Sequence, residues 1–360
     1  MRNRVAVISA AVTAALLAAS DAAHAQAEGL EVRLSGQVNR AIMNVDDGVQ
    51  NNAFFVDNDI SSTRFRLSAT APVQPGLRAG AIFEAEFQSN PSNEVSFATQ
   101  DIAATLLERH MDVFLEGGWG KASLGQGDGA ANGAVEVDLS GTTVAHWAGV
   151  NDIGGAFGFR DGAGGFIPGA TITTTIDRQD FESRYDRVRY DTPKFAGFSV
   201  AGSWGTKDNG RDVQEIALWD TGDFGGMGRV AGALGYSTQA AVPGGFDDKV
   251  MGGSVSWLHG SGFNITLAHT QRDVAADREG KFSYAKLGYK FGKHAVSVDY
   301  AQGDDQAAAG DESTMAGAGY VWAPVAWAEL YAALKRHSLD RPGTSPQDID
   351  IFMVGTRVRF

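Results

Sequence analysis

The stretch AGAIFEAEF, residues 79–87, has an apolar side chain at every odd-numbered position and its two glutamates at even-numbered positions. Successive side chains of a β-strand point to opposite faces, so this stretch has one apolar face and one mostly polar face. A helix would distribute the same residues around its axis. RFRLSA, residues 64–69, and HMDVFLE, residues 110–116, show the same alternation. The pattern predicts strands whose two faces meet different environments.

The connections between such stretches alternate in length, and this alternation indicates how the strands are joined. Short connections rich in Gly, Pro and small residues lie near 70–76, 117–120, 192–197, 222–228, 259–262, 291–294 and 322–326. Longer polar connections lie near 44–61, 89–105, 127–180, 205–212, 239–248, 271–281, 302–312 and 337–348. Short turns at one end and long loops at the other are typical of outer-membrane barrels. We therefore predict an all-β fold, a single transmembrane antiparallel β-barrel of sixteen strands.

The amino terminus predicts export. Arg2 and Arg4 precede an apolar run at 5–19, and Ala23-His24-Ala25 follows as a small-residue cleavage site. These are the three parts of a secretory signal peptide, and the run is shorter than the ~20 residues of a membrane-spanning helix. We predict a signal peptide at 1–25 and a barrel at 26–360.

Composition narrows the functional classes. The chain has 360 residues, a net charge of −13 and no cysteine. An acidic chain is a poor nucleic-acid binder, so no nucleic-acid partner is expected. An exported chain without disulfides depends on hydrogen bonding and packing. Phe352, Val354, Thr356, Val358 and the terminal Phe360 share one face of a last predicted strand.

Several stretches resemble a known family. LEVRLSGQVNRAIM (30–43), STRFRLSA (62–69), SRYDRVRYDTPKFAGFSVAGSWG (183–205), KLGYKFGKHAVSVDYAQGDD (286–305) and FMVGTRVRF (352–360) resemble trimeric Gram-negative porins. VEVDLSGTTVAHWAGVNDIGGAFGFR (135–160) resembles the third loop of alphaproteobacterial porins. The resemblance implies sixteen antiparallel strands, a homotrimer, and a third loop, here 127–180, that folds inward and narrows each pore. The PEFGG tip of enterobacterial third loops is absent, so the positions of the acidic residues at the constriction of enterobacterial porins cannot be carried over to this sequence.

The charged residues suggest how a pore would select solutes. Six arginines fall on or near the predicted inner wall of the first six strands: Arg33, Arg64, Arg66, Arg109, Arg187 and Arg189. Of these, Arg109 could instead sit at the mouth of a strand. The loop at 127–180 carries Glu136, Asp138 and Asp152. A basic wall facing an acidic loop would set a transverse field at the narrowest point, and such charges determine pore selectivity. In the alternative interpretation these charges pair with one another and hold the loop; the two interpretations are compatible.

Signs of enzyme or metal chemistry are weak. Gly125, Gly127 and Ala130 fit a dinucleotide-binding spacing, but no βαβ unit is predicted around them. Acidic pairs on the predicted outer loops could bind divalent cations that bridge lipopolysaccharide phosphates, or simply form a solvated rim: Asp46 and Asp47, Asp57 and Asp59, Asp247 and Asp248, Asp304 and Asp305. We expect no cofactor, no resident metal and no catalysis.

The sequence thus predicts a water-filled channel for passive diffusion of ions and small hydrophilic solutes in the outer membrane of a Gram-negative bacterium. Its expected partners are two further copies of itself, outer-membrane lipid and lipopolysaccharide. Three alternatives remain at this point. They are a substrate-specific channel for sugars or phosphate, a non-conducting structural or adhesin barrel, and a soluble periplasmic β-protein.

Overall fold

A computed structural model of the chain describes residues 29–242, 245–275 and 277–360, so the predicted signal peptide at 1–25 lies outside the described residues. These described residues form nineteen strands in chain order. Their bounds are β1 Glu31–Asp46, β2 Asn51–Asp57, β3 Arg64–Gln74, β4 Leu77–Gln88, β5 Thr105–Gly117, β6 Gly120–Asp128, β7 Gly158–Arg160, β8 Phe166–Thr171, β9 Arg184–Asp191, β10 Phe198–Lys207, β11 Arg211–Asp223, β12 Arg229–Gln239, β13 Asp248–Leu258, β14 Phe263–Ala275, β15 Arg278–Phe291, β16 His294–Asp304, β17 Glu312–Val325, β18 Ala328–Asp340 and β19 Ile349–Arg359.

Seventeen of these strands form one antiparallel sheet, and β7 with β8 forms a separate two-stranded sheet. The large sheet closes on itself because β1 pairs with β19, from Gln37 opposite Arg359 to Asp46 opposite Asp350. The other edge of β1 pairs with β2 along residues 40–46 and with β3 along residues 31–37. Strands β2 and β3 thus share one position, and the barrel has the sixteen positions that were predicted.

The break between β2 and β3 is a 3-10 turn, Asp59–Ser61. The Gln37 side-chain amide donates to the carbonyl oxygens of Ser61 and Ser62 at 2.9 and 2.8 Å, which satisfies backbone groups that leave the sheet ladder. The predicted long loop at 44–61 is therefore wrong. Residues 44–61 instead form the end of β1, a four-residue turn at 47–50, strand β2 and this 3-10 turn.

The alternation of short and long connections is otherwise confirmed. Two-residue turns join β3 to β4 and β5 to β6 at one end, while 89–104, 240–247 and 341–348 connect strands at the other end. The regions 205–212 and 271–281 are further exceptions, because only residues 208–210 lie between β10 and β11, and β14 and β15 occupy most of 271–281. The longest connection runs from 129 to 183, slightly later than the predicted 127–180, and contains β7, β8, a 3-10 turn at Val150–Asp152 and one α-helix, α1, Ile172–Thr175. Among the described residues no helix is long and apolar enough to cross a membrane.

The two faces of the barrel wall differ as the alternation predicts. Met111 and Val113 are 51% and 54% exposed on the outer face, whereas Glu84 and Asp112 on the inner face are buried. Aromatic side chains collect at the short-turn end of the outer face, where Trp119 stacks on Tyr190. Such aromatic belts mark the membrane boundaries of transmembrane barrels.

The register can be tested with two neighbouring positions of β3 that are equally accessible but face opposite sides. The Arg66 side chain is 41% exposed towards the lumen, and Leu67 is 43% exposed on the outer face. Because the chain has no native cysteine, we expect a water-soluble maleimide to label Arg66→Cys in liposomes and to spare Leu67→Cys. The reverse labelling would mean that the strand is shifted by one residue, since one step exchanges the faces.

Candidate functional site

The connection 129–183, called the long segment below, contacts side chains on the inner face of the wall. The backbone N–H groups of Val137 and Leu139 donate to the hydroxyls of Ser254 and Ser256 on β13, at 3.0 and 2.9 Å. Five strands further around the ring, Lys335 of β18 donates to the carbonyl of Val150 at 2.9 Å. The segment is therefore hydrogen-bonded to wall strands at two separate places around the lumen.

An apolar core joins the middle of the long segment to one side of the wall. Ile153, Phe157 and Phe159 are buried against wall residues that include Met43 and Met353. The inner faces of β1, β2 and β17–β19 carry many apolar residues that pack against the long segment, whereas a water-filled lumen calls for polar ones. The rest of the wall carries charged residues on its inner face.

That remaining wall, on β3 to β6 and β9, carries most of the predicted arginines. Arg66 donates to Glu84 at 2.5 Å, and Arg109 donates to Glu84 at 2.7 Å. Arg187 is buried and bonds Asp112 at 2.7 Å. These contacts satisfy each carboxylate with a charge-assisted bond, so the wall presents arginines whose positions are held by acids on neighbouring strands.

Arg109 reaches this wall only because of a β-bulge. Opposite Glu84 stands His110 and opposite Ala85 stands Glu108, so Arg109 is the extra residue of β5. Strict alternation from the inward Asp112 and His110 would turn Arg109 outward. A bulge re-aims the extra side chain, and here it brings Arg109 within 2.8 Å of Glu86 on the lumen side.

The remaining three predicted arginines differ in how they are held. Arg189 bonds Asp191 at 2.7 Å. Arg64 makes a single long hydrogen bond of 3.4 Å, to the hydroxyl of Ser61, and forms no ion pair with any described residue. Arg33 lies on the inner register of β1 opposite Ser68 and is exposed near the short-turn end. Arg64 thus keeps donors available to a solute, as does the exposed Arg33.

The acids of the long segment gather around one arginine that the sequence analysis did not single out. Arg178 bonds Glu136 at 2.6 Å and Asp152 at 3.2 Å, and its guanidinium lies 4.8 Å from the ring centre of Trp147. Burial raises the pKa of Glu136 against the opposing charge of Arg178, and the charge of Asp152 adds to the increase. Burial and the Glu136 charge likewise raise the pKa of Asp180 well above its usual range.

Asp138 occupies a different place from Glu136 and Asp152. Its side chain is 3% exposed and forms an ion pair with Lys286 of β15, which is fully buried. Asp138 therefore fastens the segment to the wall and does not face open water. A signal for Arg178 was present, because it is a lone basic residue among the acids Asp177 and Asp180, but its partners are 26 and 42 residues away in the chain.

The acidic pairs proposed for divalent cations are arranged differently from the expectation. Asp47 is buried and bonds Arg160 of the long segment at 2.7 Å. Asp57 is 1% exposed on the wall, where it accepts from the backbone of Thr63 at 2.9 Å. Asp47 and Asp57 are therefore not parts of a solvated outer rim, and the described residues contain no group of three potential ligands placed to hold a metal ion.

Comparison with known proteins places the chain in a family. Residues 11–341 match the family described as Gram-negative porin. No curated protein sequence matches. Among solved structures, the anion-selective porin from Comamonas acidovorans is 19% identical with a TM-score of 0.65, and the alignment covers 92% of this chain and 100% of that one.

Two further solved structures share the fold at lower similarity. OmpT, an outer membrane protein of Vibrio cholerae in its trimer form, is 14% identical with a TM-score of 0.58, covering 92% of this chain and 100% of its own. A triple mutant of the Rhodopseudomonas blastica porin is 14% identical with a TM-score of 0.55, with the same coverage. With the family match over most of the chain, the closed sixteen-stranded barrel and the charged lumen, this chain belongs to the Gram-negative porins and forms a diffusion channel of the outer membrane.

Proposed function

We propose that the channel is a general one, which passes ions and small hydrophilic solutes by passive diffusion through a constriction between the long segment and the arginine wall. The observation that carries this proposal is the division of charge across the open part of the lumen. Arginines held by Glu84 and Glu86 line one side, and the carboxylates around Arg178 lie on the other. Two facing sets of fixed charge orient dipolar solutes and exclude apolar ones, because apolar entry disrupts the ordered water.

The contacts do not favour a substrate-specific channel. A phosphate-selective pore needs free cationic side chains at its narrowest point, and the wall lysines Lys286 and Lys335 are instead buried beneath the long segment. The arginines Arg66, Arg109 and Arg187 are already neutralised by acids at hydrogen-bond distance. A barrel with weak charge preference and no dedicated binding site follows from this balance.

We further propose that three copies assemble, with lipid and lipopolysaccharide around the trimer. The connection 89–104 supports a trimer, because its first part packs against its own barrel and a later part is exposed. Ser92 donates to the carbonyl of Asp152, and the ring of Phe97 packs edge-on against that of Phe157 of the same barrel, with the ring centres 5.1 Å apart. Residues 99–101 are exposed beyond this anchor and are available to a neighbouring barrel.

Charge selectivity tests the constriction. Removing one charge about 6 Å from the ion path changes the electrostatic energy of a cation and of an anion by about 0.7 kcal/mol each in water, in opposite directions, so the cation-to-anion permeability ratio changes roughly tenfold. We expect Arg64→Gln to raise cation preference and Glu136→Gln to lower it by about that factor. The measurement is the reversal potential of single channels in a planar bilayer under a salt gradient.

A matched control removes the same charge elsewhere. Arg336 pairs with Asp350 on the outer face, and its side chain is 60% exposed. Arg336→Gln should leave the reversal potential unchanged, because this charge lies outside the lumen and the surrounding salt solution screens it from the ions that pass through. If Arg64→Gln and Glu136→Gln behave like this control, these residues do not line the narrowest section.

Assembly is tested by electrophoresis of detergent-purified protein without heating. We expect migration as a trimer that converts to a monomer at a defined temperature. Replacing 99–101 by Gly-Ser-Gly should lower that temperature, whereas the same replacement at the exposed residues 343–345 should not. Migration as a monomer before heating would contradict the proposed assembly.

A further inference from the structure

The most enclosed polar contact between the long segment and the wall is made by His146. The ring is fully buried, and its Nδ1 lies 2.8 and 2.9 Å from the two carboxylate oxygens of Asp299 on β16. A carboxylate accepts hydrogen bonds, so Nδ1 carries the proton and Nε2 keeps its lone pair. Among the described residues Nε2 has no hydrogen-bond partner.

The wall is shaped to receive this ring. Gly317 and Gly319 occupy successive inner positions of β17, beneath the imidazole. A Cβ at Gly317 would overlap the ring, and one at Gly319 would lie 2.7 Å from its Cδ2. The absence of side chains at these two positions is therefore what allows His146 to approach the sheet. We call Gly317, Gly319, Asp299 and Tyr284 the His146 socket.

The charges around the socket balance only when the ring is neutral. Tyr284 donates to Asp299 at 3.0 Å, and Lys286 donates to the carbonyl of His146 at 2.7 Å. The titratable and charged groups that face the ring come from four elements: Tyr284 and Lys286 of β15, Asp299 of β16, Lys335 and His337 of β18, and Asp138 of the long segment. Two lysines oppose two aspartates, so a proton on His146 would add an unmatched buried charge.

We propose that His146 is the positioning residue of the long segment: its neutral ring, seated in the His146 socket, holds the segment against the wall, and acidification releases it. The inference deepens the proposed function, since it rests on the long segment being the constriction. It gives the channel a sensitivity to external pH that resides in a contact beneath the segment, not in the charges along the water path.

The direction of the pH effect follows from burial. Burial lowers the pKa of His146, against the opposing charge of Asp299, while Lys335 and Lys286 lower it further. The released segment exposes an ordinary histidine with a pKa of about 6.5. Docking is therefore at full strength above that pH and weakens as the pH falls below it, by about tenfold in the docking constant per pH unit.

The accessibility of a cysteine at a buried position of the long segment shows whether the segment is docked against the wall. Ala145 is fully buried beside His146, and the chain has no native cysteine. In the complete channel reconstituted in liposomes, Ala145→Cys is labelled with a water-soluble maleimide at about pH 7 and about pH 5, on either side of the histidine range. Rates are divided by those of Ser345→Cys on an exposed loop, which removes the pH dependence of the thiol itself. We expect the ratio to rise at least tenfold in acid.

Variants of the socket separate this mechanism from a general loosening of the barrel. His146→Asn places an amide near Nδ1 and cannot take up a proton, so labelling should stay slow at both pH values. Gly317→Ala leaves the histidine intact but fills the socket, so labelling should be fast at both. Gly202→Ala is the control, because its added Cβ would meet its nearest atom only at 3.9 Å. Migration without heating verifies that each variant is assembled.

Two results would overturn the inference: equal labelling of Ala145→Cys at both pH values, or the same acid response in His146→Asn as in the parent. Single-channel conductance, recorded on the same proteins, keeps this apart from the proposed function. If labelling responds to acid and conductance does not, His146 positions the segment but the segment is not the constriction. If neither His146→Asn nor Gly317→Ala alters labelling, the positioning role itself is wrong.

Discussion

The ring closure between β1 and β19 is the constraint on which the other features depend. In hydrocarbon every backbone N–H and C=O must find a partner within the protein, and only a helix or a sheet without edges meets that condition. Pairing from Gln37–Arg359 to Asp46–Asp350 removes the last edge. Once the ring is closed, each strand has one face to lipid and one to the interior, and polar or charged side chains at lipid depth must be accommodated inside.

The interior is organised as two regions that follow from this requirement. Where the long segment packs, the inner wall combines an apolar core, with Phe157 and Ile153 against Met43 and Met353, and a few buried polar contacts such as that of His146 with Asp299. Elsewhere arginines and carboxylates pair across neighbouring strands. If the long segment forms the constriction, as proposed, a contact that holds it against the wall bears directly on the width of the passage.

Function depends on contacts that join residues far apart in the chain. Asp138 meets Lys286, His146 meets Asp299, and Val150 meets Lys335, each more than 140 residues away. No local pattern around these residues distinguishes them from ordinary polar loop residues. The glycines of β17 illustrate the same point. In the sequence they are ordinary small residues of a strand, and only the position of the His146 ring shows why a side chain is excluded there.

Local sequence patterns were enough to predict the strand alternation, the number of barrel positions, the two faces of β3 to β5 and the identity of the longest connection. These follow from period-two patterning and turn composition, which are local. Arg109 was predicted on or near the inner wall, but the bulge that turns it inward is visible only in the structure, since a bulge is an extra residue relative to a partner strand and has no meaning within one strand. The tertiary structure also decided which acids of the long segment face Arg178 and which are buried against Lys286. The reason is that a loop of 129–183 has no repeating geometry, so the placement of its side chains is set by the wall against which it packs.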